Sequence, residues 1–180
     1  MTTRQMPEPT AYDRRMYALM NKGEGRFFYA TAARRRGIVC AHIALTALGA
    51  AAWIMVGFSD QWWVLFVLVG VGLPWGVATG LINFATRGLL ELRGRVLDER
   101  QRAERHRVQA RAHRATSFLL LAGALAAGAV GWLGEVQAEV RVEVLLAPVL
   151  VGVLVVHWLM PLWVAGLLVE DEPAEELIEE

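Results

Sequence analysis

The sequence predicts an all-α integral membrane protein with four transmembrane helices, both termini cytoplasmic, and a cytosolic helical hairpin between helices two and three. Three observations carry that prediction. Four apolar runs, Gly37–Phe58, Trp62–Thr86, Ala115–Gly134 and Val144–Val169, contain no Asp, Glu, Lys or Arg. Each is about 20 residues or longer, enough for a helix to cross a hydrocarbon layer of roughly 30 Å. The basic residues between the runs alternate with them in a way that places nearly all on one side of a bilayer.

The charge asymmetry sets the orientation. The chain has 180 residues and zero formal net charge, but its charges are segregated. The segment 1–36 holds eight basic residues and the loop 87–114 holds nine. The connection Ser59–Gln61 has none, and Glu135–Glu143 has only Arg141. Cytoplasmic loops carry the excess of Lys and Arg, so the basic segments and both termini are expected inside the cell's inner (plasma) membrane. The tail 170–180 is acidic, with seven Asp or Glu, and acidic residues weigh little in that rule. No cleavable signal peptide is evident. The first run begins at Gly37, behind a charged segment, and is longer than a signal-peptide core, so it reads as an uncleaved anchor. Cys40 is the single cysteine, which excludes an intrachain disulfide and reads as a packing residue.

The elements follow in chain order. Tyr12, Met16, Leu19 and Met20 fall at helical spacing among charges, which suggests a short amphipathic helix on the inner leaflet. Asn21-Lys22-Gly23-Glu24-Gly25 breaks it, Phe27, Phe28 and Tyr29 suit the interface, and Arg34, Arg35 and Arg36 mark the membrane boundary. The basic residues here set topology, or recognise anionic lipid or a partner. In span two, Gly72, Gly76 and Gly80 form a smooth ridge that lets a helix approach closely. Span three repeats the spacing with Gly123, Ala127 and Gly131. The two ridges are expected to pack on each other within one chain, the alternative being a seam between copies. Pro74 and Pro161 are expected to bend spans two and four. Trp53, Trp62, Trp63, Trp132 and Trp163 suit the headgroup level, whereas Trp75 and Trp158 lie deeper and are expected to pack between helices.

The loop 87–114 reads as more than a linker. Glu91-Leu92-Arg93-Gly94 reads as a helix end, with Gly94 just past it. Asp98 and Gln101 have the spacing of a reciprocal N-terminal cap. Span two is therefore expected to continue to about Arg93, and a second helix to run from Asp98 into span three, the two arms forming an antiparallel stalk. The stretch Leu97-Asp98-Glu99-Arg100-Gln101-Arg102-Ala103, followed by Arg107, Ala110, Arg111 and Ala115, resembles the segment that precedes the third span in a group of small actinobacterial multi-span membrane proteins. The resemblance covers roughly residues 97–121 and implies no established activity.

Few side chains in the runs could carry chemistry. His42 lies about 8 Å deep in span one and His157 roughly 18 Å deep in span four, at 1.5 Å per residue. Asn83 and Ser117 are shallow and could join His42 in a polar cluster facing the cytosol. An intramembrane ionisable residue raises a functional hypothesis, against the plainer reading of a helix–helix hydrogen bond. The depth difference disfavours the two histidines as ligands of one haem, and no Cys-His cluster suggests zinc. No carboxylate lies in the runs, which argues against a proton-coupled antiporter. No nucleophile–base pair, phosphate loop or metalloprotease motif is visible. Acidic residues interleave the arginines of 98–114, which favours a solvated helix face over nucleic-acid binding.

The expectation is a non-enzymatic accessory, scaffold or regulatory protein without a cofactor. Its partners would be anionic inner-leaflet lipids and another membrane protein or a second copy. Contact candidates are Arg34, Arg35, Arg36, Arg100, Arg105 and Arg107. The alternative is a subunit of a small oligomeric transporter or channel, with His42, Asn83 and His157 lining the path.

Overall fold

The computed structural model describes residues 8–22, 30–58, 62–133 and 142–168, and the side-chain surroundings of all of these except 57, 58, 130–133 and 142–147. Within them the chain forms five helices: α1 (Ala11–Met20), α2 (Ala32–Phe58), α3 (Trp63–Ala85), α4 (Glu99–Leu133) and α5 (Val142–Leu168). Three are long and apolar enough to cross a membrane: Ala32–Val56, Trp63–Ala85 and Pro148–Leu168. The aromatic run Phe27–Tyr29, both outer connections and the acidic tail lie outside this description, as do the side-chain surroundings of Gly131 and Trp132.

Helix α1 starts at a complete capping box. The Thr10 hydroxyl accepts from the Asp13 amide at 3.3 Å, and the Asp13 carboxylate accepts from the Thr10 amide at 2.8 Å. Two orphan donors of the first turn are thereby satisfied.

Helix α3 ends earlier than its sequence suggests. The stop is at Ala85, not near Arg93. The Arg87 amide donates to the Phe84 carbonyl at 3.0 Å and the Gly88 amide to the Asn83 carbonyl at 2.8 Å. That crossed pair closes the helix in a Schellman motif. Both pivots take left-handed backbone, Arg87 at φ 51° and Gly88 at φ 68°. The expected first arm of the stalk is therefore absent. Residues 86–97 form a compact chain of turns that tucks Leu89, Leu92 and Leu97 inside.

Helix α4 begins where the sequence places it. The Gln101 amide donates to Asp98 at 2.6 Å, and the Asp98 amide donates to the Gln101 side chain at 3.1 Å. From Glu99 the helix runs unbroken for 35 residues, about 50 Å at 1.5 Å per residue.

Packing concentrates at one end. Val39 of α2, Ile82 of α3, Ala112 of α4 and Leu159, Met160, Leu162 and Trp163 of α5 share one buried cluster. Leu89, Val108 and Ala165 form a second beside it. Gly166 makes this close approach possible: a Cβ there would lie 2.8 Å from Val39 Cγ2 and 3.1 Å from Ile82 Cγ2. The Arg-bearing half of α4 thus runs beside the last turns of α5. Past Thr116, every residue from Ser117 to Ala129 is exposed.

The glycine ridges do not meet. Among the described residues, nothing beyond the helix's own backbone lies within 4 Å of a Cβ built at Gly72, Gly76, Gly80 or Gly123, and Ala127 is exposed. The physical reason is the order of packing. Helix α5 lies between the others, contacting α2, α3 and α4, while α3 and α4 are not a packed pair.

Candidate functional site

Two polar arrangements stand out, one inside the helix bundle and one capping its basic end.

The inner arrangement centres on His42, which has no exposed surface. Trp163 of α5 donates its indole N–H to His42 Nδ1 at 2.9 Å. An indole nitrogen can only donate, so Nδ1 accepts and the ring proton sits on Nε2 of a neutral imidazole. Nε2 then donates to the Thr79 hydroxyl at 2.9 Å, and that hydroxyl donates to the Trp75 carbonyl at 2.9 Å. Trp75 lies against the same ring at 5.0 Å between centroids. Its indole N–H donates to Thr46, whose own hydroxyl donates to the His42 carbonyl at 2.8 Å. One imidazole therefore ties α2 to α3 and α5, with both nitrogens satisfied.

Sequence reasoning grouped the wrong partners around this residue. Asn83 is buried too, but its side-chain NH₂ reaches Glu91 at 3.4 Å. Its Oδ1 has no partner among the described residues. Ser117 and His157 are exposed. His42, Asn83 and His157 thus line no common cavity. The crevice beside this core, between Arg35, Leu81, Ile82 and Gly166, has no room for a water molecule. Trp163 and Trp158 exchange their expected roles: Trp163 is 7% exposed in the core, and Trp158 is 73% exposed. Five residues apart on a helix, they face about 140° from each other. Trp75 does pack between helices, as its depth suggests.

The outer arrangement is a clamp. Asp13 of α1 is buried, and its carboxylate meets Arg95 at 2.6 Å. Arg95 also reaches the Thr10 hydroxyl at 3.5 Å. Arg93 stands farther off, 3.8 Å from Asp13, with its guanidinium 5.6 Å above the Tyr12 ring. Burial opposes ionisation of Asp13. Hydrogen bonds from the Thr10 hydroxyl and amide, then the hydrogen bond and charge of Arg95, outweigh it and hold the carboxyl below its usual range. At the other end of α1, Met20 seats on Gly88 so closely that a Cβ there would lie 2.8 Å from Met20 Cγ.

Helix α4 holds the same turns from the opposite side. Arg105 donates to the Leu92 carbonyl at 2.8 Å. Arg102 donates to the carbonyls of Gly94 and Leu97, each at 3.0 Å. Backbone acceptors that a helical stalk would satisfy internally are satisfied here by guanidinium groups. Of the contact candidates, Arg105 is thus committed to the fold. Arg34, Arg36, Arg100 and Arg107 are exposed, and Arg35 is buried.

Asp13 and Arg95 were not among the site residues expected from the sequence, and Trp163 was expected at the headgroup level rather than at His42. A signal existed only for Asp13, three residues after Thr10 and therefore at the reciprocal capping position. Among the described residues no group of three or more His, Cys, Asp or Glu is placed to hold a metal ion. The chain matches no family model, no curated protein and no solved structure.

Proposed function

We propose that the chain is a four-span inner-membrane protein, with both termini cytoplasmic, that acts as a non-enzymatic accessory or scaffold. Its partners are anionic inner-leaflet lipids and another membrane protein or a second copy, and it does not bind nucleic acid. The fourth span is the apolar half of α4 from Ala115, which continues the helix begun at Glu99. The observation that carries the reading is the construction of the basic end. Asp13, Arg95, Arg102 and Arg105 are spent on fixing α1 and the turns 86–97. Arg100, Arg107 and Arg111 are exposed at the surface of that cap. A preorganised, positively charged surface suits recognition. The transporter reading draws less support, because His42 is sealed and His157 points elsewhere.

Native mass spectrometry of the protein taken gently from its own membranes tests this. A discrete complex with a second protein, weakened by replacing Arg100 and Arg107 with Gln, is the expected result. A closed homo-oligomer with no other protein, together with ion or solute flux in liposomes, would overturn it in favour of a channel. Topology is checked separately by labelling single cysteines at Ser59 and Ala103 from outside intact cells. Only the first should react.

A further inference from the structure

Among the described residues, helix α1 is anchored along one side. At about 100° per residue, Asp13 and Met20 point the same way, toward Arg95 and Gly88. Tyr12, Met16 and Leu19 fall within roughly 60° of one another on the neighbouring flank. Tyr12 is 58% exposed and Leu19 43% exposed, and Met16 is half-buried. This apolar strip has basic edges. Arg15 lies some 40° beyond Leu19 and is exposed. Arg93 rises from the turns on the other side and covers the Tyr12 ring, with 60% of its side chain exposed.

The location narrows what can cover such a strip. Met20 rests on Gly88, three residues past the last helical residue of α3. Helix α1 is therefore pinned at the level where a membrane-crossing helix leaves the hydrocarbon. At that level a surface meets headgroups, and aromatic and aliphatic side chains flanked by arginines are the composition that partitions there.

We propose that the Tyr12, Met16 and Leu19 flank of α1, edged by Arg15 and Arg93, is a docking surface for the anionic headgroup layer of the bilayer that holds the chain. The apolar strip enters the upper layer, and the two guanidinium groups meet lipid phosphates at its borders. The clamp at Asp13 fixes which flank is presented, because it buries the helix's own carboxylate away from the lipid. This deepens the reading above and rests on it, since it takes the basic end as the cytosolic membrane surface.

The test uses the full chain with Cys40→Ser and a single Leu19→Cys carrying an environment-sensitive fluorophore. The protein is reconstituted into phosphatidylcholine vesicles, with and without phosphatidylglycerol, each containing an acyl-chain quencher. A second protein labelled at Leu73→Cys, on the exposed face of α3, serves as reference. Quenching at Leu19 should rise when phosphatidylglycerol is present and fall again in high salt. Arg15→Gln and Arg93→Gln should each lower the ratio of docked to undocked probe roughly fivefold. Equal quenching at Leu19 in both lipids, or none in either, overturns the proposal while Leu73 remains quenched. Loss of quenching at Leu73 itself would instead sink the membrane placement of α3, and with it both readings.

Discussion

The Asp13 carboxylate and the Arg95 guanidinium meet at 2.6 Å, across 82 residues of sequence. A ten-residue helix is too short to persist in water by itself. What keeps α1 formed is this pair, the capping box that shares its carboxylate, and the seat of Met20 on Gly88.

Asp13→Asn should therefore release α1 and leave the spanning helices folded. Hydrogen exchange is the readout: amides of 14–20 should lose protection, while those of 75–85 keep theirs. Arg95→Gln should act in the same direction, though less, because the capping box survives.

The same carboxylate sets a pH dependence. Its folded pKa lies below the ordinary carboxylate range. Its contribution is thus complete above that range, near neutral pH, and is lost as pH falls through the depressed value. Protease cleavage after Arg14 or Arg15 should stay slow from neutral pH to about pH 5 and accelerate only in stronger acid. Acceleration between pH 7 and 6 would contradict the assignment.

The buried imidazole predicts a second loss. Trp163→Phe keeps an aromatic ring but removes the indole donor to His42 Nδ1. The cost should be on the order of 1 kcal/mol, the scale of interhelical hydrogen bonds in bilayers, read by unfolding in mixed micelles. His157→Phe, on an exposed position, should cost nothing measurable by the same assay.

Glycines separate into two kinds. Gly166→Ala forces a methyl against the stiff β-branched chains of Val39 and Ile82 and should cost about 1–3 kcal/mol. Gly88→Ala meets Met20 and a left-handed backbone and should cost about 1–2 kcal/mol from the backbone alone. Gly76→Ala, with open space around it, should leave unfolding of the monomer unchanged. A shift in oligomeric state on Gly76→Ile would identify the ridge as a seam between copies.

The legible part of this architecture was local. Three of the four charge-free runs appear as long apolar helices, and the Asp98–Gln101 cap and the helical spacing of Tyr12, Met16 and Leu19, which act within a few residues, appear as well. The end of α3 was misread for an equally local reason. Leu89 to Arg93 are good helix formers, and Gly94 offers an ordinary stop. The actual stop uses Arg87 in a backbone region where arginine is uncommon. Everything that brings distant segments together was illegible. Nothing in the spacing of Trp158 and Trp163 says which one faces α2, and nothing near Asp13 points to Arg95. The glycine spacing was real, but periodicity gives a face without naming its neighbour.

The His42 junction has a consequence for biosynthesis. Its ring acceptor is filled by a donor that lies 121 residues downstream. At typical rates of synthesis, on the order of 10 s separate the two residues leaving the ribosome. During that interval Thr79, the partner of Nε2, has been made, but the donor to Nδ1 has not. The bundle cannot lock until the final helix arrives, so a nascent chain stalled before Trp163 presents an unclosed imidazole to whatever insertion or quality-control machinery surveys the membrane.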